Sequence, residues 1–221
     1  MPRPDLPDLS DTARREAASL GLGRRRVLAG LGLAAAGLAA PIARAAPPRA
    51  PEAPPAPPKP GPSVVPDVLR SLPQRQLNLF NANTGEWVSA VYWRDGAYRE
   101  DVLGYVDWLL RDWRQAAIRP VARDTLDILC ALTRLVDFDG WINVTSGYRT
   151  RATNTLLART ESGVAPQSLH LQARAIDFHL PDRRLDFVNR LALDLNAGGV
   201  GYYPANHFLH VDNGRVRNWR G

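Results

Sequence analysis

Residues 168–179, SLHLQARAIDFH, place two of the chain's four histidines around an aspartate. Alternate side chains of an extended strand share a face. Within AIDFH (175–179), Asp177 and His179 therefore point one way while Ile176 and Phe178 point the other. The remaining two histidines lie in NHFLHVD (206–212), where the same period puts Phe208, His210 and Asp212 on one face and Leu209 and Val211 opposite. Each segment offers an apolar side to a core and a polar side carrying His and Asp. Two such strands beside one cleft would concentrate metal ligands.

His170 and Asp177 are seven residues apart. That is about 23 Å along a straight strand and about 10 Å along a helix, too far to share an ion in either case. If both bind one ion, the chain must turn between Leu171 and Arg174. Zinc takes imidazole nitrogen and carboxylate oxygen at about 2.0–2.2 Å, and catalytic zinc commonly keeps three protein ligands and a fourth place for water. His170, Asp177 and His210 would make that set. Histidines near aspartates in strands are also ordinary hydrogen-bonded residues, and the spacing alone leaves both readings open.

Upstream of this region the chain changes character twice. Residues 24–46 combine three consecutive arginines with an Ala/Gly-rich apolar run and a small-x-small signal at Ala43-Arg44-Ala45. This reads as an export peptide of the twin-arginine type, residues 1–45, cleaved after Ala45, with an uncleaved membrane anchor as the alternative. Residues 46–66 read as a disordered spacer, because 47–62 hold nine prolines in sixteen residues. Residues 67–221 are the expected folded domain.

The whole chain has a formal net charge of +6. Removal of 1–45 would take away seven basic and four acidic residues, leaving 21 against 18 and a net of +3. With no basic stripe interleaved with aromatics, nucleic acid is not an expected partner. Cys130, the single cysteine, lies among Leu126, Leu129 and Leu132 at helical spacing and reads as a small core residue.

Within the domain, RQLNLFNANTGEWVSAVYW (75–93) alternates around Asn83-Thr-Gly85 and predicts a hairpin. Residues 98–114 carry Val102, Tyr105, Val106, Leu109, Leu110 and Trp113 on one helical face. A second helix follows Pro120, a strand spans 141–146, Thr150 is placed to cap a helix to about Arg159, and Leu185 to Leu195 form a helix ended by Asn196. Short strands close the chain. Helices and hairpins mix without regular alternation, which predicts an α+β fold.

Three blocks, SGYRT (146–150), SLHLQARAID (168–177) and GGVGYYPANHFLHVDNGRVRNW (198–219), resemble the signature blocks of the M15-type zinc peptidases. They are most similar to the exported murein endopeptidase K-like subgroup. NTGE in the hairpin and LLRDWR (109–114) extend the resemblance to about residues 70–219. It implies a small antiparallel sheet with surrounding helices, as in hedgehog and D-Ala-D-Ala peptidase-like zinc folds. It also implies one zinc held by His170, Asp177 and His210, and cleavage of cell-wall peptides in the periplasm. No obligate protein partner is evident, and the membrane enters only through an uncleaved signal.

The chain departs from that pattern at two places. Ala173 stands where the family usually has glycine, and alanine tolerates a left-handed backbone poorly, so the turn is expected to take another form. His207 stands where many relatives carry an acidic general base. In a regular strand residue 207 would face away from His210, so His207 reaches the site only if Asn206-His207 is still loop. Asp212 is the competing base on the correct face, unless it orients a ligand instead. The resemblance further implies that Arg149 holds a substrate carboxylate or answers the oxyanion. Ser168 is expected to seat substrate or cap the local turn, and His179 to line the groove. The expected chemistry is metal-assisted amide hydrolysis by an endopeptidase. A D,D-carboxypeptidase and a non-catalytic peptidoglycan-binding domain are the rivals.

Overall fold

The structure, a computed structural model, describes residues 66–160 and 164–221. The export segment and all of the spacer but Pro66 lie outside the described residues. A 3₁₀ turn at Asp67–Leu69 precedes strands β1 (Gln74–Asn81), β2 (Trp87–Arg94) and β3 (Ala97–Tyr98). Helices α1 (Glu100–Leu109) and α2 (Arg123–Leu135) follow, then β4 (Ile142–Ser146), α3 (Arg151–Thr160), a 3₁₀ turn at Leu169–Gln172 and β5 (Ala175–His179). Helix α4 (Leu185–Leu195) leads into β6 (Gly199–Tyr203), β7 (Phe208–Asp212) and β8 (Arg217–Arg220).

The eight strands of the described residues join one sheet in the order β3-β2-β1-β4-β5-β7-β6-β8. The α+β class is as expected, but the sheet is neither small nor purely antiparallel. β1 pairs parallel with β4, and β6 parallel with β8. The first pairing follows from the two intervening helices, which supply the long crossover that parallel neighbours require. The second arises because the chain after β7 passes the start of β6, where Gly198 and Gly199 leave no Cβ to collide with Asp212 and Arg217.

Strand alternation is clearest in β1, where Arg75, Leu77, Leu79 and Asn81 are buried and the residues between them are partly exposed. The buried side continues through Ile142, Val144, Ile176, Phe178, Leu209 and Val211. Leu103, Val106 and Leu109 of α1, Leu126, Leu129 and Leu132 of α2, and Val188 and Ala192 of α4 complete one contiguous core with it. Each fully buried leucine contributes roughly 1.5–3 kcal/mol. Cys130 belongs to this core and is fully buried. No helix among the described residues is long and apolar enough to cross a membrane.

Helix α1 is shorter than its apolar periodicity predicts. It stops at Leu109, and Trp113 sits beyond it in a loop bridged by Asp112 and Ala117. The Asp112 carboxylate accepts from the backbone N–H groups of Arg114 and Gln115, a local bond that competes with continuing the helix. A second buried carboxylate, Asp127 of α2, ties the helix to the sheet. It accepts from Arg75 at 2.8 Å and from the Tyr92 and Tyr98 hydroxyls at 2.7 Å each. Asp127→Ala would strand the Arg75 charge in the core and should lower stability by about 3–5 kcal/mol, measured by urea unfolding; a loss near zero would refute this account of the pair.

Candidate metal centre

The central strands β5 and β7 pair antiparallel with Asp177 opposite His210. Lateral neighbours in a sheet share a face, so the register brings these two side chains together. His170 arrives from the 3₁₀ turn at Leu169–Gln172. Ser168 caps that turn, its Oγ accepting from the His170 N–H at 3.3 Å. The reversal between His170 and Asp177 is closed by Ala173 at φ 53, ψ 40. The expectation of another turn form is corrected here: alanine itself adopts the left-handed conformation, at a cost of about 1–2 kcal/mol. The N–H groups of Ala173 and Arg174 satisfy the carbonyls of His170 and Leu169, and the Ala173 carbonyl accepts from Ala122.

Three ligand atoms converge as a result. His170 Nε2 lies 3.1 Å from Asp177 Oδ1 and 3.1 Å from His210 Nδ1, and His210 Nδ1 lies 2.8 Å from Asp177 Oδ1. All three residues are buried. Donors at about 2.0–2.1 Å from a tetrahedral ion lie roughly 3.3 Å apart, close to these separations.

The surrounding hydrogen bonds decide what the three atoms are. His170 Nδ1 is 2.6 Å from the Gly147 carbonyl, which can only accept, so Nδ1 carries the proton and Nε2 presents a lone pair. His210 Nε2 is 2.9 Å from Asp212 Oδ2, which places its proton on Nε2 and frees Nδ1 when the ring is neutral. Asp177 adds a carboxylate oxygen, and its other oxygen accepts from Arg149 Nη2 at 2.6 Å. Three acceptors facing one point fit a divalent cation. Burial, opposed by Asp177, holds His170 down at about 4. Burial would raise Asp177, but His170, His210 and Arg149 keep it well below the usual carboxylate range. His210 is the exception: burial is outweighed by Asp177 and Asp212, which push it up to about 8.

The structure assigns positions to the other expected residues. Arg149 is anchored by Ser146 Oγ at 2.8 Å and aimed at Asp177. Asp212 is fully buried behind His210 and also accepts from the N–H groups of Gly199 and Gly214 and from both terminal nitrogens of Arg217. With both oxygens occupied, it is set to orient His210. His207 lies in the turn before β7, at φ 57 and exposed, as its access to this face requires. Its ring centroid is 5.2 Å from that of His179. Trp219 was not foreseen. It lies against His210 with centroids 5.0 Å apart, in space that a Cβ at Gly201 would fill. The alternation of Arg217 and Trp219 after NG was the available signal.

The family described as peptidoglycan L,D-endopeptidase MepK matches residues 70–219. The chain belongs to this M15-type peptidase family. It is 35% identical over 145 residues to the peptidoglycan L,D-endopeptidase MepK of Escherichia coli, covering 66% of this chain and 80% of that protein. It is 34% identical over 166 residues to the probable peptidoglycan L,D-endopeptidase MepK of Haemophilus influenzae, covering 73% of this chain and 89% of the relative. The matched segment contains the whole His-Asp-His group. M15-type peptidases are typically metal-dependent, and this donor set is of the kind such an enzyme needs. Asp212→Asn keeps the shape behind His210 but removes the charge, and should weaken metal affinity about 10–100-fold in a competition with a chromogenic chelator. Unchanged affinity would remove Asp212 from the orienting role.

Proposed function

We propose that this chain is an exported zinc-dependent peptidoglycan endopeptidase that hydrolyses an L,D peptide bond in cell-wall cross-links. The observation that carries the reading is the convergence of three buried acceptors, His170 Nε2, Asp177 Oδ1 and His210 Nδ1, in a member of a family whose relatives are named for that activity. In this reading residues 1–45 direct export to the periplasm, 46–66 form an extended spacer that gives the enzyme reach into the cell-wall mesh, and 67–221 form a hedgehog and D-Ala-D-Ala peptidase-like domain.

His170, Asp177 and His210 would hold the zinc, which supplies Lewis acidity toward the scissile carbonyl and the attacking water. Arg149 fixes the Asp177 carboxylate and places a guanidinium beside the centre, suited to answer negative charge as it develops. Asp212 and Gly147 keep the two imidazoles in the tautomers that ligation needs. His207 is assigned as the proton acceptor. Its neighbour His179, whose pKa is lowered by burial and by His207, lines the groove in neutral form. Ser168 contributes through the turn it caps rather than by direct contact with substrate.

Mass spectrometry of digested cross-linked muropeptides tests the activity. Dimers should fall to monomers, and the conversion should stop with a chelator and in His170→Ala. Loss of a single alanine would mean a carboxypeptidase, and binding without products a non-catalytic module. His207→Ala should lower kcat by about 10²–10⁴-fold with metal content unchanged; full activity would move the proton acceptor elsewhere.

A further inference from the structure

Building on the peptidase reading above, we propose that Arg114 is a specificity residue that binds a free carboxylate of the substrate peptide. A cleft beside the metal centre is lined by Arg111, Trp113, Arg114, Ser146, Gly147 and Arg149, among others. It borders that centre through two of its lining residues, since the Gly147 carbonyl accepts from His170 and Arg149 donates to Asp177.

The three arginines of this cleft are unequally committed. Arg111 is bound through two nitrogens to Glu86, at 2.8 and 3.1 Å. Arg149 is bound to Asp177. The Arg114 guanidinium instead lies over the Trp113 ring, 4.3 Å from its centroid. It is exposed, and among the described residues no carboxylate pairs with it.

The backbone beneath Arg114 is fixed in place. Asp112 is buried, and its Oδ1 accepts from the N–H groups of Arg114 and Gln115 at 3.1 and 3.3 Å. Its Oδ2 accepts from the N–H and the hydroxyl of Thr150, both at 2.8 Å. One carboxylate therefore clamps the Arg114 loop to the residue that follows Arg149. A guanidinium stacked on an indole keeps its N–H edge available and matches a planar carboxylate through two parallel hydrogen bonds. Cell-wall cross-links supply such a partner, since their peptides carry free carboxylates near the linkage.

The test uses the full chain and one cross-linked peptide dimer, prepared with its carboxylates free or converted to carboxamides. Binding of both peptides to the metal-free protein is read by calorimetry, and turnover by the zinc-loaded protein gives kcat and KM. The free acid should bind roughly fivefold to tenfold tighter, the scale of one exposed charge-assisted contact. Arg114→Ala should abolish the difference, Arg114→Lys retain only part of it because an ammonium cannot form the paired contact, and Arg114→Glu reverse it, with the change in turnover falling on KM. Equal affinity of the unmodified protein for both peptides, or a preference that survives in Arg114→Ala, would overturn the proposal. Intact discrimination without turnover would count against the peptidase reading and leave the carboxylate site standing.

Discussion

Two imidazole lone pairs and a carboxylate oxygen point at one another in a buried place, and most of the structure around β5 and β7 exists to hold them there. Left to themselves, such groups would rotate away or take up protons, because like partial charges repel strongly where water is scarce. Each ring is therefore pinned from its far side, His170 by a backbone carbonyl and His210 by a carboxylate. The two pins differ in consequence. A carbonyl fixes the tautomer of His170 with no added charge, and burial, opposed by Asp177, takes its pKa down to about 4. Two carboxylates around His210 instead favour a proton, raising it to about 8. A cation bound at this point would compete with that proton and relieve the crowding of acceptors in the same act.

The pins are themselves held by packing. The Gly147 carbonyl is placed by a close approach of its backbone to Leu110, where any Cβ would collide with the Leu110 carbonyl. Tyr148 N–H donates to that same carbonyl at 2.7 Å. Asp212 is placed by Gly199, Gly214 and Arg217, so the closing strand β8 braces His210 without joining the His-Asp-His group. Its Trp219 covers one face of His210 and donates to the Tyr203 hydroxyl at 2.8 Å. This explains why a central strand such as β5 is buried on nearly every residue: the polar side of the strand is dry as well as the apolar one.

What the sequence disclosed follows the range of the forces involved. Strand period assigned Asp177 and His210 to polar faces, and the need for a turn at 171–174 followed from chain length once His170 and Asp177 were taken to share one ion. Both are local properties. The parallel pairings β1/β4 and β6/β8 were not legible, because partners separated by two helices or by a loop are chosen by tertiary packing. Helix α1 was overextended for a related reason: its apolar period runs through Trp113, but Asp112 finds better partners in Thr150 and the following turn. At Ala173 the residue's own preference gave the wrong form, since three surrounding backbone hydrogen bonds outweigh the left-handed strain. Asp212 could be placed on the correct face but not given a role, because its donors come from residues scattered over 199–217.

The end of α1, the Arg149 segment and the candidate metal centre are joined by a chain of hydrogen bonds. Leu110 receives Tyr148, Asp112 receives Thr150, Gly147 receives His170, and Arg149 reaches Asp177. A shift of the loop after α1 would therefore pass into the orientation of two of the three candidate ligands, His170 and Asp177. In the other direction, whatever settles the ligands also settles the loop carrying Trp113 and Arg114. Hydrogen bonds of this kind strengthen one another when buried, and their directions leave little room for independent motion. The rim and floor of the cleft therefore rest on the same buried supports, Asp112 and the Leu110 carbonyl.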